Sequence, residues 1–572
     1  MTHDHAFSAL TLAAEATPPR ILNVSRRGML AGLSGLVVAF SLGVSNRAEA
    51  AGFGADGMPN GWRDDPKIFV AIADDGIVTI TCQRSDMGQG VRTGWGIIIG
   101  DELDADWDKI RIVQADGNEG KYGNQDTDGS RSTRQHFNHM RHAGAAAKLM
   151  LVQAAAKQWG VPVEECSGKG HQVVHAKSGK TLGYGALAKA AADLPVPSPE
   201  TVVLKEPAEF RYIGKGNVGI VDNLAITTGK AVYGMDHKID GMLHAVVARC
   251  PVFGGSVKHV DDSETLKVPG VIRTLIIGPA VAPVKFQPLG GVAVIAKNTW
   301  AAMKGRDALK ITWDEGPNAG YDSDEFRTTL VAASQAPGKV VRKDGDVDAA
   351  MARAKTKLVA DYYVPHLVQA PMETPAAIAH VKDDGSCEIW ACVQSPQAAH
   401  DNVAKQLGLA DDKVTVHVTM LGGGFGRKSK PDYVVEAALC SKATGKPVKL
   451  VWTREDDIHH GYYHTVSAEH LEAGLDEKGM PIAWLHRSAA PTIGSIFAPG
   501  ANHEMPFELG MGLVNMPYAI PNVRMENPAV DAHVRIGWFR SVSNIPHASR
   551  RRASSPSART PPDATRRTTC ST

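Results

Sequence analysis

KVTVHVTMLGGGFGRKSKPDYVVEAALCSK, residues 413–442, decides how the rest of the chain is read. Val414, Val416, Val418 and Met420 alternate with polar residues, the period of a strand with one buried face, so 413–421 is expected as a strand. Gly422-Gly423-Gly424-Phe425-Gly426-Arg427-Lys428 follows as a turn, and Asp432 to Lys442 as a helix. Upstream, CEIWACV (387–393) reads as a strand and QAAHDNVAKQLGL (397–409) as a helix; downstream, VKLVW (448–452) reads as another strand. Strand, glycine turn, helix aims free backbone N–H groups at an anion, and glycines let the backbone come close to a ligand. The turn is neither GxGxxG nor a sequence ending in GK[ST], so a dinucleotide fold and a P-loop both fit poorly. By itself GGGFG is equally consistent with a plain tight turn.

Other turns add to it. Met87-Gly88-Gln89-Gly90 follows an alternating stretch, KIFVAIADDGIVTITC (67–82), that breaks at Asp74-Asp75-Gly76 as a hairpin does. Asp128-Gly129-Ser130-Arg131-Ser132-Thr133-Arg134 is rich in hydroxyls and Arg, and Gly537 to Asn544 sets Arg540 among small hydroxyls. Four separated polar turns point to a large ligand with phosphates and many hydrogen-bonding atoms. NHMRHAGAAAKLMLVQAAAKQW (138–159) has helical period. Pro195, Pro197, Pro199 and Pro207 mark a linker, and from Thr228 to about Trp313 short β-rich runs form a small α+β module. After a polar connection (316–355) a second body begins near Leu358.

Length sets three or four domains for 572 residues. A net charge of +1 with 43% hydrophobic and 22% charged residues excludes a strongly basic nucleic-acid binder and an acidic disordered chain. The cysteines at 82, 166, 250, 387, 392, 440 and 570 contain no CxxC, so this chain holds no zinc ribbon, plant-type Fe–S set or CxxCH haem site. Ser25-Arg26-Arg27-Gly28-Met29-Leu30, an apolar run to Val44 and Ala48-Glu49-Ala50 together read as a twin-Arg export signal with a cleavage site. The run is short for a membrane span. Export in the folded state suits a protein whose cofactor is inserted before export. At the other end, 548–572 is Ala, Ser, Arg, Thr and Pro except for Asp563 and Cys570, a composition expected to stay disordered. The abrupt change after His547 reads as a shift of reading frame, with a natural basic tail as the plainer alternative. With leader and tail set aside, residues 51–547 are mildly acidic at −5.

The combination of SDMGQG (85–90), TGKAVYGMDHKIDGMLHA (228–245), YYVPHLVQAPMETPAAIAHV (362–381), LGGGFGRK (421–428), VKLVWTREDD (448–457) and GWFRSVSNIPHA (537–548) resembles the molybdopterin-binding large subunits of the xanthine dehydrogenase/aldehyde oxidase superfamily. It is most similar to the exported two-subunit branch, with isoquinoline 1-oxidoreductase beta subunits and the membrane-bound aldehyde dehydrogenases of acetic acid bacteria. The likeness covers nearly all of 60–547. It implies an α+β, α/β-rich multi-domain fold of the xanthine oxidase type. The implied plan is a Tat signal peptide (1–50), a permuted N-terminal molybdopterin-binding segment (51–194), a linker (195–210), a hammerhead domain (211–315), a connection (316–357), an incomplete molybdopterin-binding domain (358–547) and an aberrant tail (548–572).

The resemblance also assigns roles. Gly88, Gln89 and Gly90 would contact the pterin and its phosphates; one amide of Gln89 can both donate and accept, and a turn-capping Gln is the plainer reading. Ser130 and Ser132 would lie on the dinucleotide side, or in a solvated loop. Gly423, Gly424, Phe425 and Gly426 would lie beside the metal, with Phe425 lining the substrate side or simply packing. Arg540 would lie near the pterin, or on the surface. Glu373 is expected to be structural, and His459, His460 and His464 to form a polar surface loop.

Two departures matter. Purine-hydroxylating relatives carry an acidic residue where Ser429 stands, which makes xanthine an unsuitable substrate. The family's general base, a Glu in a G-x-G-E turn, has no counterpart after Asn544, so no catalytic residue is assigned in this chain and the base is expected beyond the break. The implied function is the molybdenum-binding subunit of a periplasmic oxidoreductase acting on an aldehyde or N-heteroaromatic carbon. Its cofactor would be molybdopterin cytosine dinucleotide, and electrons would leave through a small [2Fe–2S] subunit and a cytochrome c. A chain ending at Thr572 is expected to be inactive alone. A degenerate, cofactor-free fragment is the alternative, and a flavin dehydrogenase the more distant one.

Overall fold

The computed structural model describes residues 61–547. The signal and tail readings therefore lie outside the described residues. Helices and strands are mixed throughout, as the α+β reading expects. The chain divides into two compact units. Among the described residues one holds 61–241 together with 376–423 and 445–447; the other holds 242–375, 424–444 and 448–547. The division falls inside the glycine turn, between Gly423 and Gly424. Expected boundaries at the Pro-rich segment and near Leu358 do not coincide with it.

In the first unit the expected hairpin is present: Val70–Ile72 pairs antiparallel with Val78–Cys82, which pairs parallel with Ile110–Gln114. The parallel pair is joined through the helix Val91–Glu102, whose Trp95 and Ile99 are fully buried. The Ala-rich helix runs from Phe137 to Trp159 and lays Ala143, Met150, Leu151 and Ala155 into the same core. The segment expected as a linker is clamped here. The buried carboxylate of Asp101 accepts backbone N–H groups of Arg211 (3.1 Å), Tyr212 (2.9 Å) and Ile213 (2.9 Å), and Lys205 Nζ at 3.1 Å. Burial pushes its pKa up, but these four donors outweigh that and hold it below the usual carboxylate range.

A second ladder of the first unit takes Ala376–Val381 antiparallel to Cys387–Ala391, and Cys387–Ala391 parallel to Val414–Val418. The helix Pro396–Leu407 makes the crossover and stops two residues before the expected end at 409, because Gly408 takes a left-handed cap with φ 68°. The strand expected over 413–421 is shorter, Val414–Val418. Beyond it Met420 forms only an isolated bridge to Tyr233.

The second unit places Val448–Val451 parallel to Leu243–Ala248, which continues antiparallel through Gly291–Ala296 to Val271–Ile277. The helix Thr299–Asp307 covers this ladder, so the 228–313 region has the α+β content expected of it. A five-stranded sheet follows in the order Lys339–Asp344, Val523–Asn527, Pro481–Ala489, Ser467–Leu475, Thr356–Val364.

That sheet buries polar groups. His547 is fully buried, with Nε2 3.2 Å from Glu504 Oε1 and 3.1 Å from Ser488 Oγ; its Nδ1 lies 3.2 Å from the Met511 carbonyl. Burial alone would depress the imidazole, but Glu504 and Glu469 push it up to about 9. An unfolded His titrates near ~6.5. The folded state therefore holds the extra proton, and its stabilisation is complete below about pH 6.5 and lost as pH rises toward about 9. Melting temperature is expected to fall across that window in the wild type and to fall less in His547→Gln. Identical slopes in the two proteins would exclude the assignment.

Candidate functional site

The two units each bring together two of the turns singled out in the sequence. In the first, Asp86 organises the MGQG turn. Its Oδ1 accepts the Gly88 N–H (2.9 Å) and its Oδ2 the Arg92 N–H (3.3 Å). A carboxylate already sits at the start of the helix Val91–Glu102, so those two N–H groups are not offered to a phosphate. Gln89 braces its own turn, accepting from Met87 N at 2.7 Å and donating to the Ser85 carbonyl at 3.0 Å. The turn-capping reading of Gln89 thus holds. The exposed amide still has a second N–H and a second lone pair for a ligand.

Gly88 and Gly90 take φ +97° and +76°, and nothing lies within 4 Å of where a Cβ would stand on either. The backbone is open to close approach there. The start of the glycine turn docks alongside, with Leu421 N donating to Asp86 O at 3.0 Å. Ser85 N donates to Thr127 Oγ1 (2.8 Å), and Thr127 exchanges two hydrogen bonds with Gln394 (2.9 and 2.8 Å). Thr127 thereby ties the start of the 128–134 segment to Ser85, just ahead of the MGQG turn. Ser130 is exposed at φ 55°, while Ser132 is buried in a single helical turn, Arg131–Arg134, braced by Arg131 on Asp128 at 2.5 Å. The segment is not a solvated loop throughout.

Sequence reasoning missed Arg84. Its fully buried guanidinium reaches Asn124 Oδ1 (3.1 Å), the Asp126 carbonyl and His136 Nε2 (2.6 Å), and burial pushes its pKa down to about 10. It pins the 124–136 segment beneath the MGQG turn.

In the second unit the glycine turn does not open the helix. Arg427-Lys428-Ser429-Lys430-Pro431 intervenes, and the helix starts at Asp432 with an acidic side chain in its first turn. The expected anion site at that helix N-terminus is corrected: Asp432 supplies the negative charge itself. Its carboxylate holds Arg427 (2.9 and 3.2 Å) and Arg535 (3.0 Å), all three buried. Burial opposes the charge on Arg427, but Asp432 and Asp457 raise its pKa. Lys428 is fully buried against Glu373 at 2.6 Å, an ion pair of the kind the structural reading of Glu373 calls for. Four consecutive polar residues read as a solvated face; no periodic signal marks them as interior.

Phe425 stands at φ 52° and is 39% exposed. Its carbonyl accepts the Arg540 N–H at 3.0 Å, so this turn and the 537–544 turn are joined. The Arg540 side chain is exposed, and it is the backbone of Arg540 that makes the joint. The buried arginine of the segment is Arg535. Ser429 accepts Trp538 Nε1 at 2.6 Å and donates to Gly426 O at 2.8 Å, so it fastens the Trp538 ring to the glycine turn. The histidines are not a surface loop. His459 is exposed and His460 half-buried at the end of the helix Arg454–His460, while His464 is buried and pushed down to about 4 by desolvation. Among the described residues no group of three or more His, Cys, Asp or Glu could hold a metal ion.

The first unit's turn has room for a pterin ring, while the N–H groups that a phosphate would use are held by Asp86. Positive-φ glycines with open space beside them and an exposed amide with spare donor and acceptor capacity suit a planar, polar-edged ligand. Comparison with known proteins agrees. Residues 332–547 and 32–219 each match a family described as molybdopterin cofactor-binding domain. The chain is 32% identical over 518 residues to the isoquinoline 1-oxidoreductase subunit beta of Brevundimonas diminuta, covering 82% of this chain and 64% of that one. It is 32% identical over 537 residues to the membrane-bound aldehyde dehydrogenase (pyrroloquinoline-quinone) of Gluconacetobacter polyoxogenes, covering 91% and 68%. A solved aldehyde oxidoreductase from Desulfovibrio gigas aligns at TM-score 0.46 and 21% identity, over 64% of this chain and 43% of that one. The chain belongs to the molybdopterin cofactor-binding family of molybdenum hydroxylases, in the branch of the first two relatives. It spans about two thirds of their length.

Proposed function

We propose that this chain is the molybdenum-binding subunit of a periplasmic oxidoreductase that places water-derived oxygen on the carbon of an aldehyde or an N-heteroaromatic ring. The observation that carries the reading is that the two cofactor-domain matches cover both glycine turns, in a chain 32% identical to an isoquinoline oxidoreductase subunit and an aldehyde dehydrogenase. When bound, the cofactor supplies a two-electron redox centre and Lewis-acid activation of water. Gly88 and Gly90 admit the pterin to the backbone, and Gln89 meets its edge with the amide hydrogen not used in the turn. Ser130, exposed and in left-handed conformation, serves the cytosine dinucleotide form. Phe425 borders the substrate, and Arg540 N holds it in place. Electrons pass to a small [2Fe–2S] subunit and a cytochrome c, because the cysteine spacing of this chain supplies no cluster or haem.

The test is cofactor analysis of the complex purified from the periplasmic fraction of its host. About one molybdenum per chain, with cytosine nucleotide released on hydrolysis, is expected, and dye reduction by aldehyde or isoquinoline where the complex supplies the Glu base that the family resemblance calls for. Molybdenum-free protein would support a cofactor-free fragment, a yellow chromophore a flavin enzyme, and extractable quinone the cofactor in the aldehyde dehydrogenase's name. Any of the three would overturn the proposal.

A further inference from the structure

Strain and exposed aromatic surface coincide in the second unit. Among the described residues eight non-glycine residues have positive φ, and four of them are Lys285 (42°), Phe425 (52°), Ser541 (77°) and Val542 (45°). A β-branched residue such as Val542 in that region is unusual, and such strain gathers where a site needs a fixed shape. These four belong to connected segments. Arg540 N donates to Phe425 O (3.0 Å), Lys285 N donates to Ile496 O (2.8 Å), and Tyr462 Oη donates to Lys285 O at 3.0 Å.

The segments carry a cluster of rings. Phe497 and Trp538 lie with centroids 6.5 Å apart and planes 11° from parallel. Phe286 stands across both, at 5.7 Å and 84° to Phe497 and at 5.9 Å and 88° to Trp538. Phe497 is 37% exposed, close to the 39% of Phe425. Trp538 is fixed rather than mobile: Ser429 takes its Nε1 and the buried Lys430 ammonium sits 4.0 Å from its ring centroid. Phe286 and Trp538 are half-buried, so the water-facing part of the cluster is centred on Phe497, a π surface that another ring covers best.

We propose that Phe286, Phe497 and Trp538 form the substrate-recognition shelf beside Phe425, and that it selects a planar aromatic ring over a short aliphatic aldehyde. The proposal rests on the oxidoreductase reading above. Stacking on a preorganised ring contributes roughly one order of magnitude in affinity. A two-carbon aldehyde reaches too little of the shelf to gain it.

The complex as it purifies from its host is assayed with benzaldehyde and acetaldehyde, and isoquinoline binding is measured by calorimetry. The wild type is expected to favour benzaldehyde in kcat/KM by about tenfold or more. Phe497→Ala should lower that ratio by about tenfold, through KM, and weaken isoquinoline binding comparably. Phe286→Leu keeps the apolar volume and removes the ring, and it should act in the same direction. A ratio within twofold of wild type in both variants, or isoquinoline binding that ignores both, overturns the shelf. Phe497-dependent binding of isoquinoline by a complex that oxidises neither aldehyde nor isoquinoline keeps the shelf and overturns the oxidoreductase reading instead.

Discussion

Asp432→Asn is expected to destabilise the protein by about 3–5 kcal/mol, the range for breaking a buried ion pair from one side. Asp432 is fully buried and holds two arginines at once, Arg427 and Arg535, which are 0% and 2% exposed. The amide retains the shape but removes the charge that both guanidiniums face. Arg427 would keep only Asp457, with Nε 3.6 Å from Oδ1, and Arg535 would lose its one carboxylate ion pair among the described residues. Both cations lie against rings, Arg535 at 3.9 Å from the Tyr462 centroid and Arg427 at 4.7 Å from that of Trp452. Those contacts do not replace an anion in a dry interior. Against a total stability of ~5–15 kcal/mol the loss is large enough to reach function through folding. Urea denaturation measures it. A loss below about 1 kcal/mol would mean that the arginines find water, contrary to their burial.

Gly426→Ala is expected to cost the second unit its turn geometry and the purified complex most of its molybdenum. Gly426 has φ +96°, and a Cβ there would stand 2.4 Å from the carbonyl oxygen of Trp538. That carbonyl cannot swing away easily, because Lys430 Nζ and Gln369 Nε2 both donate to it at 3.2 Å. Any shift would also pull on the Arg540–Phe425 hydrogen bond and on Ser429, which accepts from Trp538 and donates to Gly426. The contrasting substitution is Gly479→Ala, in the turn that joins Ser467–Leu475 to Pro481–Ala489. There φ is +77° but nothing lies within 4 Å, so only backbone strain of about 1–2 kcal/mol is added. Molybdenum per chain and melting temperature, measured side by side, should fall much further for Gly426→Ala. Equal molybdenum content in Gly426→Ala and the wild type would show that the joined turns do not support the cofactor site.

Local pattern alone carried much of the architecture. The hairpin broken at Asp74-Asp75-Gly76, the Ala-rich helix, the strand at 387 and the helix that follows it are all where period and turn residues put them, the last within two residues at its end. Those features depend on neighbours a few residues apart, and side-chain period reports them directly. The glycine turns were legible for a related reason: positive φ at Gly88, Gly90, Gly423 and Gly426 is a backbone requirement that glycine meets best. The family was legible because several such turns recur together with specific neighbours.

Burial of charge was not legible. Arg84, Arg427, Lys428 and Lys430 lie in the interior, yet by composition they belong on a surface. Their partners lie as far as 108 residues away in sequence, as with Lys430 Nζ and the Trp538 carbonyl, and no local period encodes a pairing of that range. For the same reason the Pro-rich segment read as a free linker, although Asp101 clamps its end from more than a hundred residues away. Arg540 drew attention by its side chain, whereas its backbone N–H makes the joint. Phe286, Phe497 and Trp538, scattered over some 250 residues, show no common pattern in the chain. Local period and turn residues determined the elements and the positive-φ turns, and the motifs taken together determined the family. Which charges are neutralised inside, and which rings share one face, only tertiary structure decided, because both depend on side chains meeting after the chain has folded.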